Sequence, residues 1–138
     1  MRPGGLTALA VFNFIFGGLA TLLNLIGLAT IELQLKNLEQ AAKITGDPVP
    51  SAGLLYLVAS IALLRGGLLI WSGVGYIGLK RFSGRILGNA YAALALIGIL
   101  IEVTAMPHFF SITSLIDFVY PLITLLLLNV IFRRDLVR

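Results

Sequence analysis

The chain has no cysteine, one histidine, one tryptophan and few charges, with Asp, Glu, Lys and Arg making up 12% of its 138 residues. Without cysteine there is no disulfide, no thiol nucleophile, no Cys-ligated zinc and no iron–sulfur cluster. The single histidine, His108, excludes a multi-histidine metal site. A soluble domain carries about 25% charged residues, so charge is depleted roughly twofold relative to that norm. In its place stand 59% hydrophobic residues and a mean hydropathy of +1.02. These values describe an all-α integral membrane protein with one domain over 1–138, because long apolar segments use most of its length.

Chemistry-bearing groups are equally sparse. Ser111, Ser114 and His108 lie near one another in sequence, but no G-x-S-x-G or other nucleophile context surrounds them. No strand precedes a glycine-rich phosphate loop. No catalytic, cofactor-binding or metal-binding residues are therefore assigned. The net charge of +4 is compatible in sign with nucleic acid, but the basic residues flank apolar segments. That placement is the ordinary topology signal of membrane proteins and an attraction for anionic lipid. Membrane lipids are expected partners, and nucleic acid is not.

Four apolar segments, about 6–31, 53–79, 86–105 and 112–132, are each long enough to cross roughly 30 Å of hydrocarbon. The first is about twice the length of a secretory h-region and reads as an uncleaved membrane helix. Along it Ala10, Asn13, Gly17, Ala20, Asn24 and Gly27 recur at alternating spacings of three and four, which places them on one helical face. Small residues let helices approach closely in lipid, and asparagine can hydrogen-bond across the contact. Gly66 in the second segment, with the row Gly84, Gly88 and Ala92 leading into the third, carries the same packing expectation.

Between the first two segments lies a polar outer loop, 32–52. Its first part, through Lys43, has the composition to continue a helix beyond the bilayer. Gly46-Asp47-Pro48-Val49-Pro50 ends any helix, and Ser51 suits the N-cap of the next. Arg2, Lys80, Arg81, Arg85, Arg133, Arg134 and Arg138 fall on one side of the predicted spans, against Lys36 and Lys43 on the other. The positive-inside rule then gives an up-down-up-down four-helix bundle with both termini cytoplasmic.

Three ionisable residues lie within the spans. Arg65 sits near the middle of the second, Glu102 and Asp117 toward the outer ends of the third and fourth. A charge at membrane depth is costly and usually faces protein or a water-filled cavity. An extended guanidinium can reach toward the interface and engage a carboxylate in a fork. Arg65, Glu102 and Asp117 are expected to form an intramembrane polar cluster, with Asn13, Asn24 and His108 at its edge. Which acid meets Arg65 stays open, as does whether the cluster pins helices together, contacts another subunit or lines a conducting path.

Two stretches carry a resemblance. The opening Arg2-Pro3-Gly4-Gly5-Leu6-Thr7-Ala8-Leu9-Ala10-Val11 with Phe16-Gly17-Gly18 is one; the segment Gly73–Leu79 followed by Lys80-Arg81-Phe82-Ser83-Gly84-Arg85-Ile86-Leu87-Gly88 is the other. They resemble a loose group of small uncharacterised bacterial four-helix membrane proteins. That resemblance implies a four-helix fold and supplies no activity. The chain departs from cysteine-dependent four-helix quinone reductases, which need a C-x-x-C absent here. The function expected is that of a non-enzymatic inner (plasma) membrane subunit or accessory protein of a larger complex, homo- or hetero-oligomeric. The alternative is a small oligomeric transporter or channel with a polar path through Arg65, Glu102 and Asp117.

Overall fold

The computed structural model describes residues 4–105 and 112–136, apart from the side chains of 112–116. The expected corner at 106–111, including His108, lies outside the described residues, as does the Ser114 side chain. Among the described residues the chain is helical, with no strand. Helix α1 runs Gly4–Ala29, α2 Ile31–Thr45, α3 Ala52–Ile77, α4 Leu87–Ala105 and α5 Ile112–Leu126. A π-helical turn, Arg81–Ile86, leads into α4, and a second, Leu127–Ile131, continues α5.

Three of these helices, Gly4–Ala29, Ala52–Ile77 and Arg81–Ala105, are long and apolar enough to cross a membrane. Their outward faces leave large apolar side chains exposed, among them Leu19, Leu22, Ile26, Leu64 and Leu100, as a lipid-facing surface requires. The described Asp117–Ile131 stretch is apolar but shorter.

Burying such faces in lipid supplies no drive for helix to meet helix, so association rests on close packing and hydrogen bonds. The α1–α3 seam shows how the sequence achieves this. A Cβ on Gly17 would stand 2.9 Å from Leu69 Cβ and 3.0 Å from the Gly66 carbonyl oxygen; one on Gly66 would stand 3.1 Å from the Thr21 nitrogen. Further along, a Cβ on Gly73 would lie 3.3 Å from the Ala10 carbonyl oxygen. Partners on α3 descend in number as those on α1 rise, so the two helices are antiparallel.

Gly75 and Gly84 bring α3 and the first π turn closer still. A Cβ on Gly75 would run into the Ser83–Gly84 backbone, and one on Gly88 into the Tyr76 hydroxyl. The basic stretch Lys80–Arg85, between the second and third predicted spans, is therefore mostly the start of a helix. The reversal itself is confined to Gly78–Lys80, with Leu79 in the left-handed region at φ 53° and the Lys80 N–H donating to the Gly75 carbonyl at 2.9 Å.

The predicted polar loop also departs from its name over most of its length. One irregular residue, Thr30, separates α1 from α2, and the Gln34 N–H still donates to the Thr30 carbonyl at 2.9 Å. The Gln34 side chain splints the break by donating to Gly27 O at 3.1 Å and Thr30 Oγ1 at 3.0 Å. Glu32 with Lys36 and Glu39 with Lys43 sit at i,i+4 in the favourable order on the exposed side. Gly46 ends α2 at φ 76°, and Ser51 caps α3 by accepting from the Leu54 N–H at 3.2 Å.

Candidate functional site

The charged residues of the spans share one cavity. It has a volume of about 460 Å³ and is bounded by α1, α3, α4 and α5. Its walls include Arg65 from α3, Glu102 from α4, Asp117 from α5 and Asn24 from α1. Arg65 and Glu102 are half-buried and Asp117 is exposed, so the cavity opens to the surface of the chain. Arg65 and Asp117 both act electrostatically on Glu102 and on Tyr91. Across α4 the Arg65 guanidinium lies over Gly98, where a Cβ would stand 3.5 Å from Nη1.

Deeper in the cavity the lining changes character. Buried Leu69 and Tyr91 and half-buried Tyr120 make up that part, with Phe16 at its exposed side. Tyr120 packs edge-on to Phe16, with centroids 5.3 Å apart, and to Tyr91 at 6.2 Å, the arrangement aromatic quadrupoles favour. Tyr91 and Glu102 are separated by about 16 Å of rise along α4. The cavity therefore has a charged mouth and an aromatic floor.

Beneath that floor Asn13, Ser72 and Tyr120 satisfy one another. Asn13 and Ser72 are both 0% exposed. Asn13 Nδ2 donates to Ser72 Oγ at 2.8 Å, Ser72 Oγ donates to the Leu69 carbonyl at 2.9 Å, and the Tyr120 hydroxyl donates to Asn13 Oδ1. The Asn13 amide thus ties α1 to α3 and α5 at once. The Tyr76 hydroxyl and Thr124 Oγ1 are buried nearby with no hydrogen-bond partner among the described residues. Around them Leu6, Tyr76, Leu128 and Leu136 are fully buried and close that half of the bundle.

No family model, curated protein or solved structure matches this chain. Its function has to be argued from the residues themselves.

Of the residues the sequence singled out, Arg65, Glu102, Asp117 and Asn24 line the cavity together. Asn24 turns its amide back to the Ala20 carbonyl at 2.7 Å, and Asn13 belongs to the closed network below instead. Gly17 and Gly66 meet on the α1–α3 seam. Gly84 and Gly88 face Tyr76, and Ala92 is buried beside Leu69 and Tyr91.

Sequence reasoning passed over several others. Ser72, Tyr91 and Tyr120 are one group. The second is at the opposite end of the bundle, where Asn89 and Asn129 exchange amide hydrogen bonds at 2.9 and 3.2 Å and Arg85 Nη2 reaches Asn129 Oδ1 at 3.4 Å. The available signal was a lone polar or phenolic residue inside an apolar run, which in lipid has to find a partner.

Proposed function

We propose that this chain is a non-enzymatic integral membrane protein that works as a subunit or accessory component of a larger complex in a bacterial inner (plasma) membrane. In this reading four helices cross the bilayer up-down-up-down with both termini cytoplasmic. Support for the orientation comes from Arg85 meeting Asn129, which draws Lys80, Arg81, Arg85, Arg133 and Arg134 to one end of the bundle, where positive-inside topology would put them.

The observation that carries the proposal is the open, charged cavity. Arg65, Glu102 and Asp117 line a space that the described residues leave open, and ionised groups at membrane depth are not left against acyl chains. A component from outside the chain has to complete the site, and in this reading that component is a partner subunit. Extraction in mild detergent or nanodiscs, followed by mass spectrometry, tests this. A partner or second copy at fixed stoichiometry, lost on Arg65→Ala and partly regained with Arg65→Lys, is the expected result. A chain that stays monomeric and unaffected by Arg65→Ala would remove the proposal.

A second reading is a small transporter or channel with its path through Arg65, Glu102 and Asp117. It is favoured by the Tyr120–Asn13–Ser72 chain, which carries polar groups from the cavity floor into the closed half. Under it, Arg65→Lys leaves assembly intact and abolishes flux in reconstituted vesicles.

A further inference from the structure

The cavity has a direction. Its charged mouth lies near the end of α4 that carries Glu102, and its aromatic floor lies deeper, at Tyr91 and Tyr120. One leaflet of a bilayer has the same polarity, with headgroups at the boundary and hydrocarbon toward the midplane. A molecule entering from that leaflet meets charge with its head and aromatic or aliphatic surface with its chain. The volume of about 460 Å³ falls within the roughly 300–1,000 Å³ typical of ligand cavities.

The charges narrow the class of head. One guanidinium and two carboxylates line the mouth. A guanidinium fork suits a phosphate, and carboxylates suit an ammonium that donates several hydrogen bonds. An anionic headgroup would satisfy Arg65 and leave Glu102 and Asp117 facing like charge. A purely cationic amphiphile would do the reverse. Only a group bearing both signs leaves none of the three unmatched.

We propose that the cavity binds the zwitterionic ammonium–phosphate head of a membrane phospholipid, its phosphate on Arg65 and its amine between Glu102 and Asp117. The inference rests on the reading that a component from outside the chain completes this site, and it names that component.

Native mass spectrometry of the full chain, released from vesicles holding equal phosphatidylethanolamine and phosphatidylglycerol, is the test. Phosphatidylethanolamine should remain bound in preference by about tenfold. Glu102→Gln should erase the preference while lipid is still retained, Arg65→Gln should lower retention of both lipids, and Glu39→Gln on α2 should change nothing. Equal retention of the two lipids by the wild type overturns the proposal. Displacement of the bound lipid by millimolar free phosphoethanolamine overturns the lipid source and assigns the site to a soluble zwitterion. Size-exclusion profiles check the variants; if Arg65→Gln does not fold, the wild-type preference and Glu102→Gln decide. A protein partner recovered with no lipid preference keeps the subunit reading and removes this one, whereas a lone chain that keeps phosphatidylethanolamine does the opposite.

Discussion

The two halves of this bundle are packed to different standards. In one, Leu6, Tyr76, Leu128 and Leu136 are fully buried, glycines bring backbones into contact, and Asn13 serves three helices. Around Arg65, Glu102 and Asp117 the same helices stand apart and leave a cavity. Lipid already satisfies apolar surface, so a membrane chain folds where shape and hydrogen bonds fit and stays open where they do not. The closed half holds the fold, which frees the open half to meet something else.

Substitutions should separate the halves sharply. The largest effect is expected from Gly75→Leu, because the new side chain must enter the Ser83–Gly84 backbone and no flexible neighbour can yield. Overpacking of this kind costs about 3 kcal/mol or more, and monodisperse protein should be lost on size exclusion. Next is Asn13→Leu, which takes the acceptor from the part-buried Tyr120 hydroxyl and leaves buried Ser72 with only the Leu69 carbonyl. Reversible unfolding in detergent should register about 1–2 kcal/mol.

In the open half the same measurement should move little. Glu102→Gln is expected to change unfolding by less than about 1 kcal/mol, because a half-exposed charge contributes weakly to stability. A loss as large as that of Asn13→Leu would show that the cavity is structural and break the comparison. Smallest of all is Trp71→Leu. Trp71 is 65% exposed on the outer face of α3, and its replacement should stay within about 0.5 kcal/mol.

The helices were legible because an apolar run of membrane length has few other fates, and the Gly17 face because small residues recurred at helical spacing. The partner of each polar residue was much less so. Asn13 and Asn24 lie on one stripe of α1, yet one enters the closed network and the other bonds to its own helix. What separates them is the level at which α3 and α5 cross α1, a tertiary quantity with no local signature. Arg65 presented the same difficulty. Its distance along α3 was countable and the small-residue row of α4 marked a packing face, but the level at which that face meets Arg65, laying Gly98 beside it, was not. The helical length of α2 was legible as far as Lys43; the π turns were invisible, because one extra residue in a turn alters no composition.

Those wide turns have a genetic consequence. A π-helical turn carries an additional residue relative to the α-helical winding around it, so it acts as a phase adjustment. Downstream of Leu127–Ile131, Phe132 and Leu136 reach the core. Removing one residue there only closes the wide turn, whereas adding another leaves nothing to absorb it and swings Phe132, at the helix end, by about 100°. Exchanging one apolar residue for another at an exposed site such as Val130 or Ile131 leaves the phase untouched. The spelling of this stretch is free to drift, but its length is not free to grow.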